Sequence, residues 1–181
     1  MKNLNMVAVG GLVIVAIGLS YFLKLVKPEA ASCVSDECLM VDGLNYPAGN
    51  LPENVKLALN KAIIDEYKAH TAYEQVIKKI GMVRPFSMII RAEETHIASL
   101  KSLFDKYGIV IPTNDWVNKI EVASTLKENC QIGVEAEIEN ARLYKEELLP
   151  LVTDYPDVTG VFTNLMNASE QKHLTAFNRC N

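Results

Sequence analysis

Two Glu-x-x-His pairs, Glu93 with His96 and Glu170 with His173, constrain the fold of this chain more than any other feature. Residues three apart on a helix point in the same direction, so each pair can offer one oxygen and one nitrogen to a common point. The two pairs use two of the three histidines in the sequence. Because such a short motif rarely occurs twice by chance, the repetition favours two helices that each carry a pair on one face.

Each pair lies in one of four stretches in which apolar residues recur every three or four positions, as in helices with one buried face. The first and third stretches each carry a glutamate on that face, Glu66 and Glu137. Buried carboxylates without partners are very costly, and four at one level would repel each other unless cations held them. The alternative is that the pairs are solvated surface features, which is usual for a single Glu-x-x-His. Two pairs together with two glutamates on apolar faces instead predict a dinuclear metal site inside a four-helix bundle, with six ligands: Glu66, Glu93, His96, Glu137, Glu170 and His173.

Two tyrosines and one histidine are further candidates for functional roles. Tyr73 follows Glu66 by seven residues, and Tyr144 follows Glu137 at the same spacing, which suggests a duplicated helical hairpin. Each phenol could donate a hydrogen bond to a metal-bound carboxylate, or could simply pack in the core. His70 lies one turn after Glu66 and could be an alternative ligand, a proton shuttle, a partner of a ligand, or a histidine at the edge of the core.

Residues 51–180 resemble the ferritin-like superfamily of di-iron carboxylate proteins. Segments 66–73, 92–96 and 133–137 look most like its DUF2202 branch, which is similar to rubrerythrin. The resemblance implies that the six candidate ligands hold two iron ions that react with oxygen or peroxide. Oxygen and nitrogen ligands also suit manganese, and zinc remains an alternative. The chain has no rubredoxin-like domain with two Cys-x-x-Cys pairs, so electrons would come from Fe(II) or from an external donor.

The expected fold is all-α: a ferritin-like antiparallel four-helix bundle over residues 53–181 with one long crossover. Residues 109–120 read as extended and could cover about 40 Å, which exceeds the length of about 35 Å of a 23-residue helix. The leading function is an oxidoreductase of peroxidase or ferroxidase type, and the alternative is a non-catalytic binding module that is stabilised by metal or stores it. A net charge of −4 without a basic patch argues against nucleic-acid binding. The sequence leaves open whether the chain forms homodimers.

An apolar run at the N-terminus predicts attachment to a membrane. Residues 7–23 contain no charged residue, and the whole run, residues 4–26, is close to the length that spans a bilayer. An uncleaved anchor over residues 1–26 is favoured over a removed signal peptide, because the candidate cleavage site at residues 30–32 lies beyond Lys24. Residues 27–52, rich in proline and glycine, would then link the anchor to the bundle.

The four cysteines predict an oxidising location. Cys130 lies seven residues before Glu137 and Cys180 lies seven after His173, so in antiparallel helices both would be displaced the same way by about 10 Å. We expect Cys130 to lie close enough to bridge to Cys180, and Cys33 to pair with Cys38. Such pairing suggests that the bundle is extracytoplasmic. The alternative is two buried thiols and two free thiols in the linker.

Overall fold

A computed structural model of the protein describes residues 46–180, which form four long helical stretches packed as a bundle. The third stretch continues from its α-helix into a π-helix at Leu143–Leu148 and a 3₁₀ turn at Leu149–Leu151. The fourth passes through a π-helix at Ala168–His173. The α-helices are α1 (Glu53–Ile80), α2 (Phe86–Tyr107), α3 (Leu126–Arg142), α4 (Pro156–Asn167) and α5 (Leu174–Asn178). The expectation of an all-α four-helix bundle is confirmed for these residues.

The helix ends follow local signals in the sequence. Helices α1 and α2 end at Gly81 and Gly108, whose φ angles of 107° and 62° are conformations that glycine adopts without strain. At the start of α3, the Thr125 hydroxyl accepts a hydrogen bond from the Glu128 amide and donates one to the Glu128 carboxylate. This reciprocal cap satisfies an amide that would otherwise have no partner in the first turn.

The connection from α2 to α3 returns along α1. Trp116 Nε1 donates a hydrogen bond to the carbonyl of Ile64 (3.2 Å), and Asn114 Nδ2 donates one to Thr71 Oγ1 (3.0 Å). Farther along α1, Lys79 Nζ donates to the carbonyl of Val122 (2.8 Å). Helix α3 therefore starts at the end of the bundle where α1 finishes, and runs parallel to α2. The α4–α5 stretch then returns antiparallel to α3.

Two apolar clusters fill the bundle and leave a polar layer between them. One cluster includes Leu59, Leu100 and Phe162, all fully buried. The other lies toward the far end of α1 and includes Phe86 and Phe177. Between them, buried carboxylates and imidazoles occupy the middle of the helices. The site therefore lies where the polar groups are shielded from water on both sides.

The predicted N-terminal features lie outside the described residues. This applies to the membrane anchor, to most of the linker and to the Cys33–Cys38 pair. None of the helices within residues 46–180 is long and apolar enough to cross a membrane. The end of the predicted linker packs on the bundle: Leu51 is buried, and the Tyr46 hydroxyl donates a hydrogen bond to the carbonyl of Asp154 (3.2 Å).

Candidate metal centre

Five of the six predicted ligands come together in the polar layer. They form two groups within which the candidate ligand atoms all lie within 4.8 Å of one another. All five side chains are buried, with relative exposures of 2–4%. The first group contains Glu66, Glu93 and His96, and the second contains Glu93, Glu137 and His173. Because Glu93 belongs to both, the two groups could hold two neighbouring metal ions.

Glu93 uses a different oxygen toward each group. Its Oε2 lies 3.2 Å from His96 Nδ1, which is also 3.2 Å from Glu66 Oε2. Its Oε1 lies 3.3 Å from His173 Nδ1, which is 3.5 Å from Glu137 Oε2. The two imidazole rings stack with centroids 5.5 Å apart. Glu93 therefore lies between the two glutamate–histidine sets and faces each of them with a different oxygen.

Each of the two predicted tyrosines donates a hydrogen bond to the glutamate of the opposite hairpin. The Tyr144 hydroxyl donates to Glu66 Oε1 (2.7 Å), and the Tyr73 hydroxyl donates to Glu137 Oε1 (2.5 Å). Burial and the neighbouring carboxylates raise the pKa of both phenols well above the ordinary value, so they remain neutral donors. Each bond occupies one carboxylate oxygen and leaves the other facing a histidine.

The buried charges shift the pKa values of the first group in opposite directions. Burial and repulsion by Glu66 raise the pKa of Glu93 well above its usual range. Burial alone would also raise the pKa of Glu66, but hydrogen bonding and the charge of His96 lower it to about 2. Burial would lower the pKa of His96, but the adjacent carboxylates raise it to about 10. Without metal, protons therefore supply the positive charge that the carboxylates need.

The buried nitrogen of His173 indicates that the second group fits a cation. His173 Nδ1 is buried and makes no hydrogen bond with any of the described residues, although one oxygen of Glu93 lies 3.3 Å away and one of Glu137 lies 3.5 Å away. Buried polar nitrogens are rarely left without a partner. Two carboxylate oxygens face this nitrogen from Glu93 and Glu137. The donor set of oxygens and imidazole nitrogen therefore fits a divalent transition metal ion at this position.

The structure does not bring Glu170 to the site. Glu170 is exposed, although His173 in the same Glu-x-x-His pair is buried. The cause is the π-helix at Ala168–His173, whose wider turn moves residues three apart onto different faces. Ser169 takes the buried position beside His173 instead. This corrects the expectation that both pairs face inward.

His70 also lies outside both groups. Its side chain is 24% exposed, and its Nε2 lies 3.7 Å from the carboxylate of the exposed Glu94. This position matches the interpretation of a histidine at the edge of the core.

A polar chain beside the site was not foreseen from the sequence. Asn140 Nδ2 donates to Asp65 Oδ2 (2.7 Å), and Ser169 Oγ donates to Asn140 Oδ1 (2.7 Å). Burial and the charge of Glu66 raise the pKa of Asp65 to about 6. One signal was available, because Asn140 lies three residues after Glu137 and therefore on the same helix face.

Two cavities reach the second group. One, of about 330 Å³, lies mainly between α1 and α3, has mostly apolar walls, and includes Tyr73, Glu93 and Glu137 in its lining. The other, of about 440 Å³, lies between the start of α2 and the end of the fourth stretch, and includes His173. Glu66 and His96 line neither cavity. These two cavities therefore reach all three residues of the second group and, of the first group, only the shared Glu93.

Comparison with known proteins supports the fold alone. Neither the family models nor the curated proteins compared with this sequence gave a match. Among solved structures, the chain is similar to the hypothetical protein MJ0754 from Methanococcus jannaschii DSM 2661, with a TM-score of 0.64 and 23% sequence identity. The likeness covers 74% of this chain and 82% of that one. The protein is thus an all-helical, four-helix protein that is similar in fold to that neighbour, and its two overlapping buried Glu/His groups could hold two metal ions.

Proposed function

We propose that this protein is a ferritin-like dinuclear metal protein, with two iron ions as the leading cofactor, and that it acts as an oxidoreductase on oxygen, peroxide or Fe(II). The observation that carries the proposal is the pair of buried triads sharing Glu93. Three carboxylates and two imidazoles in an apolar interior need cations, and iron or manganese suits this mixture of oxygen and nitrogen ligands.

Each residue of the site has a separate task in this proposal. Glu66 and His96 would hold one ion, Glu137 and His173 would hold the other, and Glu93 would contribute to both. Tyr144 and Tyr73 fix the orientation of the outer glutamates by donating to the oxygens that do not face the histidines. Bound iron would supply the one-electron chemistry that amino-acid side chains lack.

The alternative function is a binding or storage module in which the metal stabilises the bundle without catalysis. Its support is that the site joins α1, α2, α3 and the fourth helical stretch, so bound metal would stabilise the folded state by mass action. Absence of any reaction with oxygen or peroxide in the metal-loaded protein would favour this alternative.

Attachment to a membrane remains part of the proposal. Its support is the apolar run at residues 4–26. The Cys130–Cys180 disulfide, with Cα atoms 6.0 Å apart, supports an oxidising and therefore extracytoplasmic location of the bundle. Dimer formation and an external electron donor are further expectations.

Anaerobic loading with Fe(II) tests the proposal directly. The full chain, kept in detergent because of its apolar N-terminal run, should bind two iron ions. Admission of oxygen or peroxide should then oxidise them rapidly, with an absorption spectrum typical of paired ferric ions. Less than one tightly bound metal ion per chain, for iron, manganese and zinc alike, would contradict the proposal.

A matched pair of variants locates the site. Glu93→Ala should abolish paired binding, because both positions use this carboxylate. Glu94→Ala removes the neighbouring, exposed glutamate and should keep two ions per chain. Retention of two ions by Glu93→Ala would show that the metal lies elsewhere.

A further inference from the structure

The Cys130–Cys180 disulfide lies close to the second group of candidate ligands. Cys180 and His173 both line the cavity of about 440 Å³ between the start of α2 and the end of the fourth stretch. The two residues are seven apart in sequence, which corresponds to about 10 Å along a helix. One cavity therefore reaches both a sulfur of the disulfide and a candidate metal ligand.

Packed side chains also connect the disulfide with Glu137. Cys130 belongs to the apolar cluster that contains Phe177 and Tyr73, and Cys180 packs against that cluster. The rings of Phe177 and Tyr73 lie 5.5 Å apart, and the Tyr73 hydroxyl donates a hydrogen bond to Glu137 Oε1. Electrons pass through packed side chains without direct contact between donor and acceptor, so the disulfide is near enough to exchange electrons with metal held by Glu137.

The two sulfur-bearing residues differ in their exposure. Cys130 is buried, with a relative exposure of 2%, whereas Cys180 is partly exposed. Arg84 and Arg179 line the cavity beside Cys180, and positive charge next to a sulfur favours its thiolate form. Exchange between thiols and disulfides proceeds by attack of a thiolate on one sulfur. The cavity thus gives an external thiol access to Cys180 while Cys130 stays covered.

The proposed site also needs a supply of electrons. The sequence contains four cysteines and no Cys-x-x-Cys pair. Two of them, Cys33 and Cys38, precede the described residues. Within residues 46–180, Cys130 and Cys180 are therefore the two thiol-forming side chains, and they lie beside the candidate metal centre. Their location suits a redox role as well as a structural one.

We propose that the Cys130–Cys180 pair is redox-active and passes electrons from an external dithiol to the proposed metal pair. The two cysteine thiols lose two electrons and two protons and form the S–S bond, and two ferric ions take up the electrons and become ferrous. The external dithiol then reduces the disulfide, forms its own S–S bond and returns two protons to the cysteines. This inference rests on the proposed dinuclear iron site and specifies the chemical class of its electron donor.

The test compares two redox states of one protein. The full chain with Cys33→Ser and Cys38→Ser is prepared in detergent, either with its thiols reduced or with the disulfide intact, and each form is loaded with Fe(II) without oxygen. One equivalent of hydrogen peroxide per chain is then added. Ferric absorption should appear in both forms and should decay at least about tenfold faster in the reduced form. Over the same time, two thiols per chain should disappear and two ferrous ions should return, measured with a thiol reagent and a ferrous chelator.

A second measurement uses the metal-free protein. Dithiothreitol should reduce Cys130–Cys180 without denaturant, because Cys180 lines an open cavity. The rate should fall about 3- to 10-fold in the double variant Arg84→Gln with Arg179→Gln, which removes the charges beside the sulfur. Arg91→Gln removes an exposed arginine on α2 that does not line the cavity, and the rate should stay within about twofold. The reduced metal-free protein should keep its thiols in peroxide over the time of the iron experiment.

Several results would overturn the inference. Equal decay of the ferric absorption in the two redox forms would refute the role of the cysteine pair and leave the proposed function standing. Loss of thiols without return of ferrous ions would do the same, as would a disulfide that dithiothreitol reduces only after the chain unfolds. Failure to bind iron, or to form ferric absorption with peroxide, would refute the proposed function and this inference with it.

Discussion

At the scale of single residues, Glu93 differs from the other buried glutamates because both groups depend on it. Glu66 and Glu137 each face one histidine and accept one tyrosine hydroxyl. Glu93 faces both histidines, and no tyrosine within residues 46–180 donates a hydrogen bond to it. Burial and repulsion by Glu66 raise the pKa of Glu93, whereas hydrogen bonding to His96 lowers that of Glu66. The surroundings thus shift the pKa of the same residue type in opposite directions.

Tyr144→Phe should weaken metal binding about 10- to 100-fold, because Glu66 loses the hydrogen bond that orients it. Titration of the metal-free protein with Fe(II) or Mn(II) under anaerobic conditions measures the effect. Tyr67→Phe is the matched control: Tyr67 is also buried, but its hydroxyl makes no hydrogen bond with the described part of the chain. Equal loss of affinity in both variants would exclude the proposed role of Tyr144.

Metal affinity should fall as the pH is lowered. In the metal-free protein His96 holds a proton at pH 7, since its pKa is raised to about 10, and the raised pKa of Glu93 favours the protonated form of that carboxyl. Both groups must be deprotonated to bind metal, so the slope of log affinity against pH should approach about two near neutrality. Proton release into a weakly buffered solution with an indicator dye measures this. Glu93→Gln should release about one proton fewer for any ion that it still binds, and binding independent of pH would contradict the assignment.

At the scale of elements, the π-helix in the fourth stretch decides which side chains reach the site. A continuous α-helix would have placed Glu170 and His173 on one face. The π-helix at Ala168–His173 instead buries Ser169 and exposes Glu170. Ser169 then bonds to Asn140 and ties the fourth stretch to α3. The corresponding pair on α2, Glu93 and His96, lies in regular α-helix and keeps both side chains inside.

The Cys130–Cys180 disulfide joins the start of α3 to the end of the fourth stretch, as predicted. Gly133 allows the close approach, because a Cβ there would lie 2.6 Å from the Phe177 ring. Phe177 in turn packs on Tyr73, with ring centroids 5.5 Å apart. The covalent link therefore lies beside the apolar cluster that covers one side of the metal centre.

Removal of this disulfide should destabilise the metal-free bundle by about 2–4 kcal/mol, because a link across 50 residues restricts the unfolded chain. The double variant Cys130→Ala with Cys180→Ala tests this by urea denaturation. A reductant should lower the stability of the unmodified protein toward that of the variant. Any effect of reductant on the stability of the variant would come from Cys33 and Cys38. Equal stability of the unmodified protein and the variant would contradict the prediction.

At the scale of the whole molecule, the long connection sets the bundle's arrangement. Because it returns along α1, α2 and α3 run parallel, and α1 and the fourth stretch run opposite to them. The two hairpins thus face each other across the site, and each tyrosine reaches the glutamate of the other hairpin. Apolar clusters lie on both sides of the polar layer that holds these groups.

The full chain should fractionate with membranes and resist washing at high salt and at alkaline pH, since residues 4–26 are apolar enough to span a bilayer. Deletion of residues 1–26 should release the protein into the soluble fraction with its metal-binding capacity intact. A full chain that stays soluble without detergent would contradict the anchor, and loss of metal binding on deletion would show that the segment supports the bundle.

The sequence by itself determined the four helical stretches, the two glycine ends, the disulfide partner and five of the residues in the polar layer. These follow from local rules, because helix periodicity fixes which residues share a face and glycine marks where a helix stops. Only the tertiary structure decided that the Glu170 side chain is exposed, because a π-helix is selected by packing against neighbouring helices. The cavities that reach the site likewise depend on how separate helices pack together, and no local sequence pattern encodes that packing.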